Sequence, residues 1–285
     1  MPKIINSYSA VTTVLHARNQ QYTRFGRTIP YASHAVTTLN SHYNVATGVS
    51  LANAGYPYIK CFGIGIGGFA VTNSNSVNVY RPASTDMDLY TPIPFRIIKL
   101  NDLASNDLTA AEKAGYRMRE IYTDAAGDVY ARYWLKVLTF PSDTVSASKT
   151  DFATGATTDL AIGSYTVPTP TLPTVDNVVQ GARIYTTYPY TCKLTGAEFN
   201  EVAAYYPALT SVTNGTSLIN EIGLYSGIDV VYDDTNGNDT SDAYTEFMHT
   251  QLAAHMCFGG IDLSNQNTQV EISNLFEDGM SVILP

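Results

Sequence analysis

The chain has 285 residues, of which 45% are hydrophobic and only 14% are charged. This length is enough for one large domain or two ordinary ones without disulfide staples. The low charge content excludes a disordered chain, a coiled coil and a long helical bundle, because each of those needs charged sequence. The net charge of −9 is unevenly distributed: residues 1–85 hold six basic and no acidic residues, whereas residues 194–285 hold 13 acidic and no basic ones.

The first segment, residues 1–57, is rich in Ser, Thr, Asn and Tyr, and its apolar residues come singly. We predict an extended arm of peripheral loops and strands, with short strands at 9–14 and 35–39. Such a segment orders by packing against a neighbour. The candidate interface residues in this arm are Arg18, Arg24 and Arg27.

The second segment, residues 58–180, is predicted to be a β-rich domain. Residues 58–71 read as a buried strand that runs into a glycine-rich stretch. Gly63, Gly65 and Gly68 match the bare G-x-G-x-x-G spacing of a dinucleotide site, but the residues that follow are unsuited to open a helix. We therefore interpret the glycines as a place where backbones approach closely.

The clearest local structure in this domain is a β-hairpin over residues 116–140, with a glycine-containing turn at 124–128. Thr109 and Glu112 match a capping box just before it. Earlier in the chain, Asp86 and Asp88 lie between Tyr80 and Tyr90, and we interpret this carboxylate pair as loop caps or interface contacts. A proline-rich stretch near residue 170 predicts the boundary with the third segment.

The third segment, residues 181–285, is predicted to be an acidic α+β part. Thr195 and Glu198 form a second capping box at the start of a helix. The acidic stretch 233–242 has the composition of a calcium loop without the EF-hand spacing, so either a solvated loop or a structural calcium site fits it. The remaining predicted elements are a helix over 194–206, strands over 218–224 and 228–232, a second helix over 242–256 and a terminal hairpin over 270–284.

The residue types used in catalysis and metal binding show no informative spacing. His249 and His255 are six residues apart, which does not place two ligands on one helix face. Cys61, Cys192 and Cys257 lack C-x-x-C spacing and are predicted to be buried free thiols. No G-x-S-x-G elbow is present. We therefore expect no enzyme, no cofactor and no metal, and the sequence pI of about 4.9 argues against direct nucleic-acid binding.

The chain has no apolar run of membrane-spanning length and no apolar signal core, so we expect a protein made in a cytoplasm. The fold class predicted from these patterns is mainly β with minor α. It comprises antiparallel sheets in a sandwich or partial barrel, an extended N-terminal arm and one or two short helices.

Residues 219–225, with the sequence Ile-Asn-Glu-Ile-Gly-Leu-Tyr, resemble a strand found in tailed-bacteriophage tail proteins, in domains that attach fibres to baseplates. Residues 60–98 also resemble virion structural proteins of tailed phages, on a glycine-rich turn followed by Asp86, Leu89-Tyr90 and Ile93-Pro94-Phe95. The candidate interface residues on the strand are Glu221, Gly223 and Tyr225.

The resemblance implies a structural component of the virion, in the tail, baseplate or neck, assembled in the host cytoplasm. Its partners would be other copies of itself in a ring, and neighbouring tail or neck proteins or fibres. The acid-free N-terminal block could meet the base-free C-terminal block of the next copy in a head-to-tail contact. The alternative is a carbohydrate- or receptor-binding module of a phage tail, because Tyr, Trp134, Asn and Asp suit sugar recognition.

Overall fold

The structure is a computed structural model. It describes residues 8–27, 29, 57–71, 77–100, 107–161, 163, 181–198, 200–201, 218–232, 244–262 and 270–282. The chain is mainly β, with 58% strand, 12% helix, antiparallel sheets and short helices, which confirms the predicted fold class. Among the described residues, no helix is both long and apolar enough to cross a membrane.

The chain divides into two compact units that interleave along the sequence. The first unit comprises residues 1–138 and 194–270, and the second comprises residues 139–193 and 271–285. The sequence predicted three consecutive segments, whereas each of the two units combines two separate stretches of the chain. The boundaries predicted after residues 57 and 180 therefore differ from those of the units.

The first unit is built on an eight-stranded antiparallel sheet and a separate two-stranded sheet. The strands of this unit are β1 (Tyr8–Thr12), β2 (Tyr58–Gly65), β3 (Phe69–Val71), β4 (Val77–Val79), β5 (Pro92–Ile93), β6 (Arg96–Leu100), β7 (Tyr116–Thr123), β8 (Val129–Val137), β12 (Leu218–Tyr232) and β13 (Tyr244–Asp262). The main path of the eight-stranded sheet runs β1-β13-β12-β2-β8-β6, while β5 pairs with β2 and β7 pairs with β8. The two-stranded sheet pairs β3 with β4.

The described part of the predicted arm consists of β1 followed by helix α1 (Val14–Arg24). Strand β1 pairs antiparallel with β13, so this part packs against its own chain. Thr13 caps the helix by accepting a hydrogen bond from the backbone N–H of His16. The strand predicted over 9–14 overlaps β1, whereas the helix was not predicted; the strand predicted over 35–39 lies outside the described residues.

The predicted hairpin is confirmed: β7 and β8 pair antiparallel from Tyr116–Lys136 to Thr123–Val129. Residues on β8 alternate between buried and half-buried, which is the period of a strand covered on one face. The capping box of Thr109 and Glu112 is also confirmed, at the start of helix α2 (Ala110–Lys113).

The helix predicted over 242–256 is wrong, because β13 is a strand of 19 residues. The helix-like spacing of its apolar residues matches bulges in β13, where the register with β12 shifts. Leu224 pairs with Ala254, but the next residue, Tyr225, pairs with Leu252, so Ala253 has no partner on β12 at this bulge. An extra residue on β13 shifts the alternation of its side chains by one position at each such bulge. Pairing with β1 on one side and β12 on the other supplies the backbone hydrogen bonds that a helix would otherwise satisfy internally.

The two strands predicted at 218–224 and 228–232 are one continuous strand, β12. One of the two bonds of the capping box predicted for Thr195 and Glu198 is present, because Glu198 Oε2 accepts the Thr195 backbone N–H at 2.6 Å. Residues 196–198 and 200–201 are helical, and the rest of the predicted helix lies outside the described residues.

The second unit contains a four-stranded sheet in the order β10-β9-β11-β14. Its last strand corrects a prediction, because residues 270–282 form one strand rather than a hairpin turning at Asp278-Gly279. This strand pairs with β11 in the sheet. The strands of this unit are β9 (Ser146–Asp151), β10 (Thr157–Asp159), β11 (Ala182–Leu194) and β14 (Val270–Val282).

Candidate functional site

The strand that carries residues 219–225, β12, lies between β2 and β13. Glu221 pairs with Gly65 on β2 and with Cys257 on β13, and Gly223 pairs with His255. Side chains two residues apart on a strand share one face of the sheet. The side chains of Glu221, His255 and Cys257 therefore meet on the same face, although they are distant in sequence.

Glu221 is completely buried, and four hydrogen bonds hold its carboxylate. Oε1 accepts the backbone N–H groups of Gly67 and Thr91, each at 2.8 Å. Oε2 accepts the backbone N–H of Tyr90 at 2.9 Å and lies 3.1 Å from Nε2 of His255. One carboxylate thus ties the glycine-rich turn and the end of the loop before β5 to strand β13.

His255 is also completely buried and lies between two carboxylates. Its Nδ1 is 2.9 Å from Oδ2 of Asp86, and its ring meets the ring of Tyr90 edge-on, with 4.7 Å between centroids. Burial alone would lower the pKa of the imidazole. Hydrogen bonds to Cys257, Glu221 and Asp86 outweigh that effect and raise the pKa to about 10.

Tyr225 reaches the same loop from the next position on this face of β12. Its hydroxyl donates to Oδ1 of Asp88 at 2.6 Å, and burial together with that carboxylate raises the pKa of the phenol well above its usual value. Burial also raises the pKa of Asp88. Gly223 leaves room for the loop, because a Cβ atom there would lie 2.7 Å from Leu252 and 3.0 Å from Leu89.

We call Glu221, Gly223, Tyr225 and His255 the loop clamp, because all four position the loop formed by residues 80–91. Three of them had been predicted as interface residues. Glu221, Gly223 and Tyr225 are instead buried inside the first unit, where they contact a neighbouring segment of the same chain.

The glycine-rich turn fits against the clamp because its residues lack side chains. A Cβ on Gly65 would lie 2.3 Å from Oε1 of Glu221, and one on Gly68 would lie 2.2 Å from the carbonyl oxygen of Asn220. The side chain of Asn220 accepts the N–H of Gly68 at 2.6 Å and donates to the carbonyl of Ile66 at 3.0 Å. These contacts confirm the interpretation of the glycines as a close backbone approach.

The 80–91 loop presents large apolar side chains to solvent. Tyr80, Met87 and Tyr90 are 47%, 40% and 43% exposed, and the two tyrosine rings pack edge-on with 6.0 Å between centroids. Asp86 acts as a loop cap, as predicted, because its carboxylate accepts the N–H of Ala83 at 2.9 Å. The buried clamp and the exposed aromatic surface are thus two sides of one short segment.

The predicted interface arginines lie elsewhere in the first unit, on or just after α1. Arg18 is half-buried, and its guanidinium lies 5.3 Å from the ring centroid of Tyr22. Arg24 and Arg27 are exposed and flank Phe25, which is 73% exposed. The structure therefore does not bring the arginines together with the clamp residues as one set.

Many acidic residues of the base-free block pair with basic residues of the same chain. Asp229 accepts two hydrogen bonds from Arg117, at 3.0 and 3.1 Å, and also pairs with Lys60. The other described pairs are Glu198 with Lys136, Glu201 with Arg96, Glu271 with Lys193 and Glu277 with Arg183. Each of these five carboxylates is therefore balanced within the fold, and the acidic stretch 233–242 lies outside the described residues.

Sequence reasoning missed His255 as a partner of Glu221, because 34 residues separate them and the helix predicted over 242–256 hid their shared sheet. It also left Asp86 and Asp88 without partners. Residues 219–228 of β12 are all buried, so the strand is covered on both faces and no alternation marks Glu221 as a buried position. A carboxylate at such a position needs hydrogen-bond partners. The three cysteines are buried and free, as predicted.

The fold and the clamp together define a mainly β protein whose charged cluster organises one surface loop. The chain belongs to the DUF7208 family, a family of unknown function whose model matches residues 1–281. Neither a curated protein nor a solved structure matches the chain.

Proposed function

We propose that this chain is a non-enzymatic structural protein of a tailed-bacteriophage virion, located in the tail, baseplate or neck. There it assembles into a ring with other copies of itself, attaches a neighbouring tail protein or fibre, or does both. The observation that carries this proposal is that the two phage-like segments, 60–98 and 219–225, meet in the loop clamp. Glu221 from one segment holds the backbone of Gly67, Tyr90 and Thr91 from the other.

The chemistry of the clamp supports a structural role. Each oxygen of Glu221 is occupied by two donors, and the hydroxyl of Tyr225 is committed to Asp88. These bonds fix a loop in place. A loop that is fixed before it meets a partner loses less conformational entropy on binding, which favours tight assembly.

The composition of the 80–91 loop supports a contact surface. Tyr and Met are enriched at protein interfaces, and the loop exposes Tyr80, Met87 and Tyr90 together. Isolated exposed apolar residues are ordinary, whereas a group of them on a rigid loop is typical of an anchor. In the proposed assembly this loop contacts the next copy or the attached protein.

The location is tested on virions of the phage that encodes the chain. Peptide mass spectrometry of gradient-purified particles should detect the chain, and gold-labelled antibody should mark the tail, baseplate or neck in electron micrographs. Its absence from purified particles that contain the other tail proteins would contradict the proposal.

The contact surface is tested by mass photometry of the purified chain over a range of concentrations. The double variant Tyr80→Ser, Met87→Ser should shift assembly to concentrations at least about tenfold higher, because both anchors are lost. Ile121→Ser is the matched control, since Ile121 is 51% exposed on β7 of the same unit. Equal effects of the double variant and the control would contradict the role of the loop.

A receptor-binding module is the second candidate, because the Tyr80–Tyr90 pair beside Asp86 places aromatic rings next to a carboxylate, as sugar sites do. A glycan array on the purified chain distinguishes the two functions. Saturable binding of one glycan class, abolished by Tyr80→Ser and unaffected by Ile121→Ser, would favour receptor binding over assembly.

A further inference from the structure

The strongest unassigned feature of the chain is the donor set beneath the 80–91 loop. Nε2 of His255 lies 3.1 Å from Oε2 of Glu221 and 3.7 Å from Sγ of Cys257, and one ligand atom from each residue lies within 4.8 Å of the others. All three residues are completely buried. Nitrogen, sulfur and carboxylate oxygen are the ligands that zinc takes in proteins.

These separations suit a tetrahedral ion. Zinc bonds of 2.0 to 2.3 Å place neighbouring ligand atoms about 3.3 to 3.8 Å apart. The observed nitrogen–sulfur distance of 3.7 Å falls within that interval, and the observed nitrogen–oxygen distance of 3.1 Å lies just below it. We propose that Glu221, His255 and Cys257 bind one zinc-type divalent cation, which contacts His255 through Nε2.

The groups around the three ligands already orient them. Asp86 lies 2.9 Å from Nδ1 of His255, which is the carboxylate–histidine arrangement that directs the other ring nitrogen to a metal. Gly67 and Thr91 hold Oε1 of Glu221, while Oε2 accepts the backbone N–H of Tyr90 and faces the histidine.

The strand register explains how the site forms. Glu221 and Cys257 are direct partners across β12 and β13, and His255 is two residues from Cys257 on the same face. Because the ligands are buried, we expect the ion to enter while the chain folds rather than afterwards. The site ties β12 to β13 beneath the loop, so it would stabilise the loop clamp whatever the loop contacts.

The test uses the full chain, produced in medium supplemented with zinc or with cobalt. Elemental analysis should find one metal ion per chain, and the cobalt form should show a thiolate-to-cobalt charge-transfer band in the near ultraviolet. The double variant Cys61→Ser, Cys192→Ser keeps Cys257 as its single cysteine and should retain the whole band. Cys257→Ser should lose it.

Several outcomes would overturn the proposal. They are a metal content well below one ion per chain in both media, a band that survives in Cys257→Ser, or a band that disappears in the double variant while that variant remains folded. If Cys257→Ser does not fold, X-ray absorption of the zinc-loaded wild-type chain decides, because the site requires one sulfur and two nitrogen or oxygen neighbours from the protein. A zinc spectrum without sulfur contradicts it.

Discussion

Replacing Glu221 with glutamine tests whether the loop clamp depends on a carboxylate. Both oxygens of Glu221 accept two donors each, at distances of 2.8 to 3.1 Å. An amide keeps one oxygen and turns an NH₂ group toward the other pair of donors. If the NH₂ group faces Gly67 and Thr91, two backbone donors lose their acceptor. If it faces Tyr90 and His255, the Tyr90 N–H loses its acceptor and His255 must give up its Nε2 proton to accept from the amide.

The expected cost follows from those two lost bonds. A hydrogen bond to a charged group contributes about 1.5 to 3 kcal/mol, and a buried donor left unpaired costs a similar amount. Allowing for local relaxation, we expect Glu221→Gln to lower the free energy of unfolding by about 3 kcal/mol. That is a large share of the roughly 5 to 15 kcal/mol that stabilises a typical protein.

The measurement is denaturant unfolding of wild type and variant in the presence of a chelator, so that metal binding does not contribute. Asp128→Asn is the matched control, because Asp128 pairs with Lys99 at the surface and each side chain is more than 40% exposed. The control should cost less than about 1 kcal/mol. Hydrogen exchange should accelerate in the variant at residues 66–68 and 80–91 together. A Glu221→Gln chain as stable as the control would refute the role of the buried carboxylate.

Three further substitutions probe other parts of the first unit. Gly68→Ala should cost about 3 kcal/mol, because its Cβ would lie 2.2 Å from the backbone oxygen of Asn220, whereas Gly259→Ala should be nearly neutral, since its Cβ would meet nothing within 4 Å. Burial raises the pKa of Glu246 from 4.5 to about 7, so the folded chain binds a proton that the unfolded chain has released. The free energy of unfolding should therefore fall by up to about 3 kcal/mol as pH rises through that interval, and Glu246→Gln should remove this fall. Asp229→Asn should cost about 2 kcal/mol, because it leaves a largely buried guanidinium without its carboxylate.

Each of these expectations has a result that contradicts it. Equal stability of the two glycine variants in denaturant would show that the backbone near Asn220 can move aside. Parallel stability–pH curves for wild type and Glu246→Gln would place the pKa of Glu246 near its ordinary value. For Asp229→Asn, a loss no larger than that of the surface control Asp128→Asn would mean that solvent replaces the ion pair.

The sequence correctly predicts those elements whose structure depends on interactions between residues close together in the chain. The hairpin over 116–140 and the capping box at Thr109 depend on turn chemistry and on side chains that reach their own backbone. The helix over 242–256 failed because bulges in β13 create helix-like spacing, and only the pairing with two neighbouring strands makes it extended. The turn expected at Asp278-Gly279 failed for the same reason, since sheet pairing overrode a local preference.

The candidate site was predicted in its parts and not in its arrangement. The sequence predicts that another part of the backbone packs closely against Gly63, Gly65 and Gly68, and that Asp86 caps a loop. Neither pattern identifies β12 as the strand that packs against the glycines. That information is in the order of strands in the sheet, which places β12 between β2 and β13. The distribution of charge along the sequence also does not show which charges pair in the fold. Asp229 and Arg117, for example, are far apart in sequence but form an ion pair.

The interior position of Glu221 limits how strand β12 can contribute to the proposed assembly. A buried residue cannot contact a neighbouring subunit, but it determines the shape of the loop that can. If the 80–91 loop is the contact surface, Glu221→Gln should weaken assembly in mass photometry without touching the partner. Tyr80→Ser should weaken assembly while leaving stability unchanged, because its ring is half exposed. The first variant thus tests the conformation of the loop and the second tests the side chains that it exposes. A Glu221→Gln chain that unfolds more easily yet assembles normally would exclude the loop from the contact.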